Sequence, residues 1–122
     1  MPKGDFVGEF ELYVMLALAR PETEGYGMNL RQAIEERTGR NIAIGAIYAT
    51  LGRLEDKGLV RHSWSAPQPV PGGRARKQFA LTPSGARSLK HSATMMTSMM
   101  ADVPLSSLAA AIGAGPKRRR SS

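Results

Sequence analysis

Between two short extended runs, "LVRHSW" and "RKQFALT", the chain reads "SAPQPVPGGRA", with Pro67, Pro69 and Pro71 on alternate positions and Gly72 and Gly73 behind them. Each proline lacks a ladder donor and fixes φ, so this stretch stays extended and projects instead of pairing. The strand-like part of the chain is thereby limited to a β-hairpin with a long tip. The stretches on either side have helical spacing.

Glu9 to Ala19, "EFELYVMLALA", has no breaker and is apolar nearly all round its second half, which predicts a buried first helix stopped by Pro21. A second helix is expected near Gly25 to Thr38, with Tyr26, Leu30, Ala33, Ile34 and Arg37 at helical spacing and Gly39 as its stop. After "GRNIA" a third runs from Ile44 to Lys57, with Ile47, Tyr48, Leu51 and Leu54 on one stripe and Gly58 past its end. Thr82 before Pro83 opens a fourth, the hydroxyl capping and the proline standing where its missing donor costs nothing. Along it Ala86, Leu89, Ala93, Met96, Met100 and Val103 recur at alternating spacings of three and four, a heptad seam that asks for another helix. Pro104 interrupts it, "LSSLAAAI" is expected to add a short helical turn, and "GAGPKRRRSS" to be disordered. These boundaries give a helical and hairpin domain over residues 1–82, a C-terminal helical region over 83–112 and a basic tail over 113–122.

Charge is divided along the chain. Met1 to Val60 holds 7 Lys/Arg against 9 Asp/Glu, whereas Arg61 to Ser122 holds 10 against 1. The terminal "KRRR" supplies four of those ten, and Arg61, Arg74, Arg76, Lys77, Arg87 and Lys90 remain without it. A basic segment on a near-neutral body implies a polyanionic partner, nucleic acid before others. With 122 residues, one domain plus tails is expected, and no segment approaches the about 20 apolar residues of a membrane span. The first residues lack a secretory pattern and there is no cysteine, so the expected compartment is the cytoplasm. His62 and His91 are the only histidines, and no carboxylate or histidine cluster has metal-ligand spacing, so neither enzyme chemistry, metal nor cofactor is expected.

Two helices joined by a short turn, then a hairpin with a basic arm, is the order of an α+β winged helix-turn-helix DNA reader: three helices and a two-stranded β wing. The segments "GYGMNL", "IEERTGR", "GAIYATLGRLEDKGLV" and "GGRARKQFALTPSG" together resemble the PadR family of bacterial transcriptional regulators, over about Leu12 to Leu89. The resemblance implies a dimeric repressor whose third helix enters the major groove and whose last helix pairs with its partner's. It puts Tyr48 near DNA, Arg53 in support of the helix or on a phosphate, and Arg74, Arg76 and Lys77 on the backbone. The sequence departs from the family in having Ala43, Ala46 and Ala49 where Ser, Thr or Pro is usual.

The third helix raises its own question, because its non-apolar side offers Gly45, Ala46, Ala49, Thr50 and Gly52 before any charge. A helix facing bulk water usually carries Lys, Glu or Gln there. Small residues let a backbone sink between groove walls about 12 Å apart, with Ala46 and Ala49 against thymine methyls and Thr50 giving one hydrogen bond or methyl contact. The same residues would equally allow close packing against another protein helix, which gives an interaction module without DNA reading. A third reading is a sensor with a pocket for a small planar aromatic effector at the dimer interface, lined by Met95, Met96, Met99 and Met100; the single Trp, Trp64, lies in the wing strand rather than on the last helix. On the leading reading the operator is palindromic and double-stranded, and the seam from Ala86 to Val103 holds the dimer.

Overall fold

The computed structural model describes residues 7–67 and 71–119. Its elements are α1 (Glu9–Ala19), α2 (Gly27–Thr38), α3 (Ile44–Asp56), β1 (Val60–Trp64), β2 (Lys77–Leu81), α4 (Pro83–Met100), one 3₁₀ turn (Leu105–Ser107) and α5 (Leu108–Arg119). Two compact units are distinguished, Met1–Ser92 and Ala93–Ser122.

In the first unit α1, α2 and α3 pack against one another, and the β1–β2 hairpin closes the remaining side. Val14, Met15, Leu30, Ile47, Leu51 and Leu54 are fully buried, and Leu59, Val60 and Phe79 carry the core into the hairpin. The hairpin is antiparallel, with Val60 opposite Leu81 and Trp64 opposite Lys77. Together these elements form a winged helix-turn-helix.

Local chemistry sets each junction. α2 ends on Gly39 in the left-handed region, and Glu35 Oε2 accepts the Ile42 amide at 2.9 Å, pinning the turn into α3. α3 ends on Gly58, also left-handed, while the Leu59 amide reaches back to the Leu54 carbonyl at 2.9 Å, so the orphan carbonyls of the last turn are satisfied. Thr82 then ties three pieces together: its hydroxyl donates to Gly58 O at 2.7 Å and accepts from the Gly85 amide at 2.9 Å, and its amide donates to Leu59 O at 3.0 Å.

The structure differs from the sequence reading at several points. Glu11, one of the nine acidic residues of the first half of the chain, is buried: it accepts the Gly8 amide and meets Lys57 Nζ at 2.8 Å and Arg53 Nε at 3.6 Å. Burial raises the Glu11 carboxyl pKa, but the hydrogen bonds from Lys57 and Gly8 and the charges of Lys57 and Arg53 outweigh it, leaving the pKa below the ordinary glutamate value. Leu89 is buried in the protomer's own core, so it anchors the first half of α4 and is not part of an exposed seam. Val103 is off the helix, because α4 ends at Met100 and Asp102 turns the chain at φ 65°.

In the second unit, helix resumes after the 3₁₀ turn and continues to Arg119, past Ile112 where the sequence reading gives way to a disordered tail. The run Leu108-Ala109-Ala110-Ala111-Ile112 supplies the propensity to start it. Residues 120–122 of that tail, and 68–70 of the wing tip, lie outside the described residues. Met95, Met96, Met99, Met100, Leu105, Leu108 and Ile112 are exposed. Among the described residues no single helix is long and apolar enough to cross a membrane.

Candidate nucleic-acid interface

α3 has two faces. Ile47, Thr50, Leu51 and Leu54 are buried, and Gly45, Ala46, Tyr48, Ala49 and Arg53 are exposed. The buried set corrects one expectation: Thr50 is only 1% exposed. It stands three residues after Ile47 and four before Leu54, on the core stripe, where its hydroxyl accepts Arg53 Nη2 at 2.9 Å. Thr50 therefore offers nothing to an outside partner. The other small residues are open, since among the described residues a Cβ built at Gly45 or Gly52 meets nothing within 4 Å beyond its chain neighbours and its own helix backbone.

Arg53 leaves the end of this face and is held by Thr50 and Glu11, not by the Glu55 or Asp56 of its own helix. Glu55 instead contacts His62 Nδ1 at 2.5 Å, tying the last turn of α3 to β1. Tyr48 is 45% exposed. Its phenol reaches the first turn of α2, over Gly27, where any side chain would occupy its place.

The wing brings its cations alongside. Arg74, Arg76 and Lys77 are all exposed. The Ser65 amide donates to Arg76 O at 2.8 Å and the Arg76 amide to Ser65 Oγ at 2.9 Å, which fixes the base of the arm. The Arg76 guanidinium lies 3.9 Å from the centroid of the Tyr26 ring, and Lys77 Nζ 5.8 Å from that of Trp64. Tyr26 and Trp64 were not among the expected DNA-facing residues: Tyr26 reads as part of an apolar helical stripe, and the stack with Arg76 joins residues 50 positions apart, which no local spacing signals. Among the described residues no group of His, Asp and Glu is arranged to hold a metal ion.

An exposed, nearly bare helix beside a hairpin with three cations, on three packed helices, is the arrangement of a winged-helix DNA-binding protein. The family model of the transcriptional regulator PadR-like family matches residues 15–91, and the chain belongs to that family. A curated relative, an uncharacterized 37.1 kDa protein in a transposon of Streptomyces fradiae, is 35% identical over 86 residues, which is 70% of this chain and 22% of that protein. This chain thus spans about a fifth of the curated relative it matches. A PadR family transcription regulator from Clostridium difficile superposes with a TM-score of 0.60 at 25% identity, over 76% of this chain and 95% of that one. Bacillus subtilis PadR, in a complex with operator DNA, superposes with a TM-score of 0.55 at 20% identity, over 67% of this chain and 46% of that one.

Proposed function

We propose that the protein is a dimeric repressor that lays α3 in the major groove of a palindromic operator and its wing on the flanking backbone. The observation that carries this is the face of Gly45, Ala46, Ala49 and Gly52, open among the described residues, which lies beside Tyr48 and the basic wing. Glycine in an exposed helix costs about 1 kcal/mol relative to alanine, so a bare face needs a partner that comes close. The dimensions of the groove supply one, in which Ala46 and Ala49 meet thymine methyls. With Thr50 turned inward few side chains are left to read base edges, so much of the selectivity falls to the shape of the DNA. A two-fold dimer engages half-sites about one helical turn apart. That the Bacillus subtilis relative was crystallised with operator DNA supports the same partner here.

Ala49→Glu tests the reading, since it adds bulk and negative charge where base edges and phosphates would be. Fluorescence anisotropy should show operator binding lost while circular dichroism and oligomeric state stay as in the parent. Unchanged affinity would take α3 out of the groove and favour a protein-interaction role.

A further inference from the structure

Between the start of α2, the exposed side of α3 and the base of the wing lies an open cleft of about 290 Å³, lined chiefly by Tyr26, Met28, Tyr48, Trp64, Arg76 and Lys77. Three of these six are aromatic and two are cationic; among the described residues no acidic side chain lines the cleft. Among the described residues neither Arg76 nor Lys77 has an ion-pair partner. Contact with the Tyr26 ring, 3.9 Å from guanidinium carbon to centroid, holds Arg76 without using its N–H donors, which remain for an acceptor. An arginine already held on a ring loses less side-chain freedom when it binds. The cleft adjoins the open face of α3 through Tyr48 and so continues the candidate DNA surface.

The geometry points to this cleft as the seat of a stretch of DNA sugar-phosphate backbone: Arg76 and Lys77 take a phosphate, and Trp64 with Met28 covers the apolar side of the adjoining deoxyribose. The inference rests on the DNA-binding reading above and adds to it Trp64, Tyr26 and Met28, as a contact that positions the wing without reading sequence. Openness decides against a small ligand. Pockets for such molecules bury some 70–90% of their guest, whereas Trp64 and Met28 are themselves 62% and 55% exposed. A polymer held at further points on either side needs no enclosure. The positive lining suits its charge, and the cations stand beside the α3 face, where a strand's backbone would run.

Trp64 is the only tryptophan, so its emission reports on the cleft directly. Titration of the full chain with a random-sequence duplex should change that emission in step with anisotropy, and added salt should reverse both. Trp64→Ala, folded by circular dichroism, should weaken binding to every duplex alike, by roughly threefold to tenfold, with the salt dependence unaltered. Lys77→Ala should lower the log–log salt slope by about one unit. If the parent binds duplex while Trp64 emission stays flat and Trp64→Ala binds as tightly, the cleft is overturned and the DNA reading stands. Quenching of Trp64 by millimolar benzoate, with displacement of the duplex, would also overturn it and make the cleft a small-anion pocket. A parent that binds no duplex overturns both.

Discussion

A Cβ at Gly85 would run into the Leu59 carbonyl, whereas the three atoms nearest to one at Gly27 all belong to the phenol end of Tyr48. The first neighbour is backbone and cannot give way; the second is the tip of a half-exposed side chain that can swing aside. Gly85→Ala should therefore lower stability by about 1 to 3 kcal/mol in denaturant titration. Gly27→Ala should change it by less than about 1 kcal/mol, yet weaken DNA binding by displacing Tyr48. Glu11 makes a different kind of prediction. Its pKa is lower in the folded state than in the unfolded chain, so its contribution is complete above the ordinary glutamate pKa. That contribution begins to fall as pH drops through this value and is gone below the folded one. Glu11→Gln should flatten that acid limb in urea melts and cost about 1 to 2 kcal/mol at neutral pH, less than a wholly buried pair because Arg53 and Lys57 reach solvent. Neither Glu11 nor Thr50 was legible in the sequence as a buried polar group. The charged partners of Glu11, Arg53 and Lys57, come from the far end of α3, and Thr50 shares the inner stripe of that helix, whereas residue type alone assigns charges and hydroxyls to the outside.

Among the elements, α1 and α3 were the most legible, because an unbroken apolar run before Pro21 fixes the first and an apolar stripe before Gly58 the second, and α2 begins two residues later than its periodicity suggested. The hairpin was legible from its punctuation: the prolines and glycines divide the strands, and the pairing of β1 with β2 follows. The seam of α4 was legible only in part. A heptad pattern does not distinguish a residue facing its own core from one facing a partner, so Leu89 was read with the others although it closes the first unit. Past it, Met96 and Met100 stay exposed, and the dimer proposed above would cover such an apolar stripe. Met96→Asp should give monomers in analytical ultracentrifugation, with the helical signal of the first unit retained. An unchanged dimer would move the interface off this part of α4.

For the molecule as a whole, the order of three helices and hairpin was enough to name the architecture, while the family rested on the residues of the segments from "GYGMNL" to "GGRARKQFALTPSG". The small-residue face of α3 was visible in the sequence, since local spacing puts those residues on one side. The aromatic and cationic cleft was not, because Tyr26, Tyr48, Trp64 and Arg76 come from four separate stretches and meet only after folding. One joint described above bears on how such a chain can change length. The link from β2 to α4 has no slack: Thr82 bonds to Gly58 and Leu59 on one side and to Gly85 on the other. The wing loop, by contrast, is gathered at Ser65 and Arg76, and lengthening it beyond them adds only a slowly growing closure entropy, about 0.6 kcal/mol per doubling. Two glycines inserted after Gly73 should leave the melting temperature nearly unchanged, while the same pair after Thr82 should lower it by many degrees. Relatives that lengthen or shorten the chain without losing the fold are thus expected to do so in the arm, and to keep the residue count from the end of α3's last turn through the start of α4 the same on both sides of it.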